Sequence, residues 1–460
     1  MQSRRDQVQA QSYVLGRLTS ALISGDGERA ENPNRRTAVG TLCGVLVAAL
    51  VVAGFGVYGF VRPGGATAWR KPGVLVMERE TGSRYVFADG QLRPVLNYAS
   101  VRLLFGEDPR RVSVSSRSLR DVPRGLPVGV AGAPDALPES GRLANAFWIA
   151  CTVAARNAGG YLASDVSLAL TTASAGLGLG DRAVVVRPVR ADGAPVSDYL
   201  LWRGKRYRLG HQWLLRVFGD DRPTEPVDPR WLDLVPASVD IDPDVVPGIG
   251  EPGPDIAGRA TRVGQLFVVR IAGAKDRYYV LLRDGLSPLT ATGYAILAAD
   301  PRTAAAYGGG RVDPVIAGPA VLGQTSASKR RVFTDALPPV PPALAERGSG
   351  QTWCVRQASG RGVELVTATP VAERPSAAGE RGSTAGAVRI QAGVGGLARA
   401  GRPGRAAGQG TYLITDAGLR YPVASAEVAE ALGYPPASAV VITPELLDLL
   451  PQGAVLDSPQ

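Results

Sequence analysis

Ala38 to Val61, AVGTLCGVLVAALVVAGFGVYGFV, runs for 24 residues without a charge. No other feature restricts the fold so severely. At ~1.5 Å rise per residue a helix of this length reaches about 36 Å, enough to cross a ~30 Å hydrocarbon layer with some tilt. The run is too long for the apolar region of a signal peptide and 37 residues precede it, although Ala66-Thr67-Ala68 has the form of a cleavage site. It is therefore read as one transmembrane helix over 38–61, with Cys43 inside it as a small apolar residue. Arg29, Arg35 and Arg36 on one side balance Arg62, Arg70, Lys71 and Arg79 on the other, so the distribution of cations leaves the orientation open.

Before the span, residues 1–37 read as a segment built on an amphipathic helix. Ser3 is placed to cap it with Asp6 three residues on, and Gly25 to stop it. Val8, Leu15, Leu18 and Leu22 fall on one stripe. A single helix cannot bury such a stripe by itself, so it docks on a partner or on the membrane surface, and its modest basic face favours a partner.

The chain beyond the span holds 399 residues, enough for several packed units. Four segments resemble one another. RYVFADGQLRPVL from Arg84, YYVLLRDGLSPL from Tyr278 and YLITDAGLRYPV from Tyr412 each read as a hairpin. A degenerate hairpin turning at Gly204 lies in DYLLWRGKRYRLGHQWLLRVFG. Short helical stretches follow each hairpin. Three of the segments then close with a leucine four residues before a proline: Leu119 and Pro123, Leu232 and Pro236, Leu447 and Pro451. The units are expected at 72–125, 196–247, 258–320 and 396–453, each a three-stranded meander with one or two short helices. Their uneven spacing argues against a stacked solenoid. Two long inserts, 126–195 and 321–395, are expected to form the halves of a central core. Each carries one cysteine beside a tryptophan, Cys151 in FWIAC and Cys354 in TWC. Such a pair suggests a disulfide and an oxidising exterior, with two buried free thiols as the alternative.

The N-terminal SRRDQVQAQSYVLGRLTSALISGD, the single span, the four units and the two insert cysteines together resemble the EccB family, a membrane core component of type VII (ESX) secretion systems. The resemblance covers nearly the whole chain, although unit two lacks the Asp-Gly turn. It implies an α+β protein with a cytosolic N-terminus, one transmembrane helix and an extracytoplasmic domain of a central mixed or β core and four small repeat units. It implies a core disulfide, carried over to Cys151 and Cys354. The implied partners are the membrane, EccC, EccD and EccE, together with further copies of the chain. The implied work is structural: scaffolding protein export across the inner (plasma) membrane. Two alternatives stand beside it. One is a cell-wall (peptidoglycan) binding module. The other is an ATP-hydrolysing subunit, an activity described for the family.

No catalytic, cofactor-binding or metal-binding set is expected. A phosphate-binding loop needs a lysine followed by a hydroxyl residue, and RGKR, AGAKDR and ASKRR all lack it. GVGGLA, Gly393 to Ala398, reads as a loop between strands, and GLGLGD, Gly176 to Asp181, as a turn before the strand AVVVRPV. DIDPDVVPGIGE, Asp240 to Glu251, has acids at calcium-loop positions but valine where glycine is required. Asp220, Asp221, Glu225 and Asp228 read as a surface cluster among prolines. The single histidine, His211, lacks a partner set for a triad or a zinc site. Tyr85, Tyr279 and Tyr412 read as half-buried strand residues. The net charge of +10 is carried by arginines scattered through the chain, which indicates a solvated surface and no nucleic-acid groove.

Overall fold

The structure, a computed structural model, describes residues 4–25, 34–61, 67–106, 109–156, 162–189, 197–219, 224–243, 246–358, 361–371, 385–402, 408 and 410–458. Ser3, Arg29, Arg62, Ala66, Asp220 and Asp221 lie outside them. Two helices lead the chain, α1 (Arg4–Ser24) and α2 (Asn34–Val61). All else described is a body of five sheets joined by short helices.

The first sheet is built from β1 (Val74–Glu78), β2 (Arg84–Ala88) and β3 (Gln91–Pro94), an antiparallel meander. The β2–β3 turn is Asp89-Gly90, both at positive φ (51° and 74°), the conformation a two-residue hairpin demands. Helix α3 (Tyr98–Phe105), capped by the Asn97 side chain, carries the chain back, so that β4 (Arg110–Val114) lies parallel to β1. Helix α4 (Ser116–Leu119) follows.

Next comes the first part of the central sheet, β5 (Phe147–Arg156), β6 (Leu162–Thr171) and β7 (Leu177–Gly178). The second small sheet has β8 (Ala183–Pro188), β9 (Tyr199–Trp202) and β10 (Lys205–Arg208) as its meander. Helix α5 (Leu215–Phe218), strand β11 (Glu225–Val227), parallel to β8, and helix α6 (Pro229–Asp233) complete it. The third repeats the plan with β12 (Leu266–Val269), β13 (Arg277–Leu282), β14 (Gly285–Leu289), α7 (Ala291–Ala299), β15 (Val315–Ala317) and α8 (Ala320–Gln324). The central sheet resumes with β16 (Thr352–Ala358), β17 (Val363–Ala368) and β18 (Ala387–Ile390). The fourth small sheet has β19 (Gly396–Ala400), β20 (Thr411–Ile414), β21 (Arg420–Pro422), α9 (Ala426–Ala431), β22 (Val440–Ile442) and α10 (Pro444–Leu447).

The repeat is therefore larger than the expected three-stranded meander: a fourth strand returns parallel to the first. A trailing segment also runs parallel to the third strand, and this explains the Leu-x-x-x-Pro endings. The leucine is buried on the last helix. The proline carbonyl then accepts the hydrogen bond that starts the pairing: Leu92 N–H to Pro123 (2.9 Å), Arg206 N–H to Pro236 (2.9 Å) and Arg420 N–H to Pro451 (3.0 Å). Proline suits this place because an edge position need not supply an N–H. Unit three makes the same bond without a proline, Leu286 N–H to Ser326 (2.8 Å), four residues after Leu322.

These pairings move the expected boundaries. Strand β8 belongs to unit two, whereas the sequence pattern predicts it in the insert 126–195 with the unit beginning at 196. Its run of valines is buried on all sides like a core strand, and no turn motif links it to β9. Units one, three and four run past 125, 320 and 453, to bridges at Val128, Ala327 and Leu456.

The central sheet has the order β18-β6-β5-β16-β17-β7. Both inserts build it, and neither holds its own edge: β18 from the second insert flanks β6 of the first, and β7 from the first flanks β17 of the second. One face, with Trp148, Ala150, Leu168, Trp353 and Val355, packs against units two and four. Trp231 of α6 is the anchor from unit two, fully buried, its indole N–H donating to the Ala150 carbonyl at 2.9 Å. Leu446 of α10 occupies the same repeat position in unit four. The equivalents in units one and three are Ser118 and Val321, each one residue before the unit's leucine, and neither enters that core cluster. Units one and three attach further out. Ala99 of α3 joins the unit-four cluster of Leu413, Tyr421 and Val428, and Ile296 of α7 joins the unit-two cluster of Leu200, Tyr207 and Phe218.

Candidate interaction surfaces

Helix α1 ends as its sequence dictates: Gly25 takes φ 66° and its N–H bonds the Ala21 carbonyl at 3.2 Å. Its apolar stripe is left uncovered by the described residues. Val8, Leu15, Leu18 and Leu22 are 64%, 59%, 54% and 84% exposed. In α2, within Thr37–Tyr58, an 18-residue window has a mean hydropathy of 2.4, and none of that window is buried. Among the described residues the chain thus carries two helices whose apolar surface is left uncovered, attached to a body whose apolar residues are mostly buried in clusters.

The seam of the body is the β5–β16 pair. Cys151 and Cys354 sit directly opposite each other in the antiparallel register and are joined by a disulfide, with Cα atoms 4.0 Å apart and a sequence separation of 203. They are 2% and 0% exposed, on the sheet face opposite Trp148 and Trp353, among Ile149, Val366 and Ala368. Alternation along the strand explains this: neighbouring residues point to opposite faces, so each tryptophan–cysteine stretch aims the indole and the thiol apart.

Polar side chains elsewhere serve the fold. His211 stacks on Trp213 (5.8 Å between centroids) with Nε2 3.2 Å from Asp242. Of the acids in the calcium-loop pattern, Asp240 holds Arg208 at 2.6 Å and Glu251 holds Arg283 at 2.5 Å. Asp228 caps α6 and pairs with Arg230, which raises the arginine pKa, while Glu225 pairs with Arg347 at 2.6 Å. Among the described residues no three metal-binding side chains cluster. Lys205 opens β10, and Lys275 and Lys329 lie in exposed turns. Gly393 lies in the turn between β18 and β19, while Leu177-Gly178 is itself a strand on β17 where a turn was expected.

The hairpin tyrosines Tyr85, Tyr279 and Tyr412 are half-buried. Tyr85 lies under Arg124 (4.4 Å) and its hydroxyl donates to Glu78. The hydroxyl of Thr81 holds the Glu78 carboxyl below the usual range, and Tyr85 adds to this. Tyr434 is buried and donates to the Pro138 carbonyl at 2.5 Å; burial pushes its phenol up. One cavity of about 380 Å³ lies between unit two and the central sheet, lined by Val184, Val185, Glu225, Leu344, Arg347 and Trp353. The Glu225–Arg347 pair closes on itself there.

One candidate span among the described residues, an uncovered N-terminal helix and a stapled multi-repeat body define a membrane-anchored assembly component. The whole chain, residues 1–460, matches the family described as "Type VII secretion system ESX-1, transport TM domain B". The chain belongs to this family, EccB, a core membrane component of ESX type VII secretion systems. Among curated relatives, the ESX-3 secretion system ATPase EccB3 of Mycolicibacterium smegmatis is 27% identical, over 93% of this chain and 84% of the relative. The ESX-1 secretion system ATPase EccB1 of Mycobacterium tuberculosis is 25% identical, over 98% and 92%. Two solved structures share the fold. A chain of an intact ESX-5 inner membrane complex has a TM-score of 0.63 at 22% identity, covering 100% of this chain and 94% of that one. The EccB3 dimer from an ESX-3 core complex has a TM-score of 0.62 at 24% identity, covering 83% and 98%.

Proposed function

We propose that this chain is a bitopic scaffold that holds its neighbours in fixed geometry around an export path and makes or breaks no bond itself. Its N-terminal helix lies in the cytosol and docks on the membrane components EccC, EccD or EccE. Its span packs among theirs. Its five-sheet body lies outside the cytoplasmic membrane, where the Cys151–Cys354 bond survives, and assembles with further copies of itself. The observation that carries this reading is the α1 stripe: four large apolar side chains in one row, exposed among the described residues. A lone amphipathic helix in water is only marginally stable, so this one forms against something else.

Leu15→Glu with Leu18→Glu tests it. Isolated from membranes, the double variant should keep its unfolding midpoint, yet lose the partner proteins that accompany the parent chain. Retention of all partners would refute the docking role. The relatives' names carry an ATPase activity, and sustained ATP turnover by the purified chain would displace the scaffold reading.

A further inference from the structure

Half of the chain's net charge sits just after the span, from residue 67 to the end of unit one. Between residues 67 and 125 there are eleven Lys and Arg against six Asp and Glu, in a protein whose total is +10. Four of those cations gather where the chain leaves the membrane. Arg70 and Lys71 end and follow the 3-10 helix Thr67–Arg70, which packs on β1 and β4. Arg110 and Arg111 open β4, and the parallel register sets them beside Val74 and Leu75, the first residues of β1. All four side chains are exposed, and none makes an ion pair with a described residue. Arg70 is braced over the buried Trp69 at 5.1 Å.

Strand β4 is the edge of its sheet, so one side of its backbone is unpaired as well. Only residues 62–66 separate Val61 from the 3-10 helix. A step of six residues spans at most about 20 Å. The cluster is thus tethered beside the bilayer surface, whichever side of the membrane the body occupies.

We infer that this edge of unit one is a docking surface for the anionic phospholipid headgroups of the membrane that anchors the chain. Charge complementarity supports it: each Lys or Arg held near an anionic leaflet adds attraction, and the tether supplies the local concentration. Arginine forks suit phosphate oxygens. The consequence is orientational. A single span leaves the body free to pivot, while a second contact at the same surface fixes its tilt.

Hydrogen–deuterium exchange on the full chain in nanodiscs tests this. With phosphatidylglycerol-containing discs, amides of residues 67–73 and of β4 should exchange several-fold more slowly than in pure phosphatidylcholine discs. The protection should vanish in 0.5 M salt (a condition of the experiment), where the Debye length falls to about 4 Å. It should be lost in the variant combining Arg70→Ser, Lys71→Ser, Arg110→Ser and Arg111→Ser. It should persist when the three arginines become lysine. Lys275→Ser with Arg277→Ser, in unit three, should change nothing at this edge. Equal exchange in the two lipids would overturn the inference. So would protection by soluble glycerophosphate in phosphatidylcholine discs, which marks a free-anion site, or protection that appears only when another protein is added.

Discussion

Trp231→Ala should detach unit two from the central sheet. The side chain is fully buried between α6 and β5, and its N–H is bonded to the Ala150 carbonyl. Truncating a buried tryptophan to alanine costs about 3–5 kcal/mol in transfer and cavity terms. The lost hydrogen bond adds about 1 kcal/mol. A total of about 4–6 kcal/mol, divided by a urea slope of about 3 kcal/mol per molar, lowers the midpoint by about 1.3–2 M. Urea titration of the chain in detergent, followed by far-UV circular dichroism, measures this, with limited proteolysis reporting whether unit two is cut first. Trp231→Phe separates the two contributions, because it keeps most of the volume and removes the donor. Ser118→Ala, at the same repeat position in unit one, should move the midpoint by less than about 0.5 kcal/mol equivalent. Equal effects at Trp231 and Ser118 would refute the assignment of Trp231 as the residue that seats an inner unit on the core.

Three further outcomes follow from the geometry. Replacing Cys151 and Cys354 together by alanine frees a 203-residue separation in the unfolded chain. The chain-entropy account puts the loss at about 5 kcal/mol, read from the urea midpoint of variant against parent under non-reducing conditions. Gly285→Ala should loosen unit three, because φ there is 137° and a Cβ would fall 1.9 Å from the Ser326 carbonyl oxygen. More than about 1 kcal/mol of local stability should go, seen as faster amide exchange in β14. The Glu78 carboxyl is held below its usual range, so its folded pKa lies under the unfolded value of about 4.3. Its contribution is complete above that unfolded value and disappears as pH falls through the folded one. The stability gap between parent and Glu78→Gln should therefore narrow on acidification below pH ~4, and a gap independent of pH would contradict the bonding to Thr81 and Tyr85.

Local signals in the sequence were read correctly where the physics is local. The uncharged run gave the span, Gly25 the end of α1, and Asp89-Gly90 and Arg203-Gly204 sit in two-residue turns at positive φ. Non-local pairing was harder to read. The parallel strands β4, β11, β15 and β22 are three to five residues long and meet β1, β8, β12 and β19 only after a helix has intervened, so no turn residue announces them. Unit three shows how a motif can mislead. Asp284-Gly285 resembles the Asp89-Gly90 turn, yet Gly285 already lies in the strand opposite Leu282, and glycine is required there by the approach of Ser326. The distinction between inner and outer units was present in the residue before each leucine, Trp231 and Leu446 against Ser118 and Val321. Its meaning depends on knowing which helix faces the core. For the interaction surfaces, the α1 stripe was legible from spacing alone. The basic edge of unit one was not, because the register that brings Arg110 beside Val74 follows from a parallel strand.

The central sheet has a consequence for biosynthesis. Strand β5 must wait for β16, and β6 must wait for β18, each emerging more than two hundred residues later. Units two and three are complete stretches of chain and can fold in the interval, leaving the β5–β6 hairpin with both flanks open. The body therefore cannot mature from its leading end to its trailing end. It closes once, late, when the second insert arrives. A chain truncated before Thr352 would keep the membrane anchor and three units, yet present a permanently unmet sheet edge to whatever else is crossing.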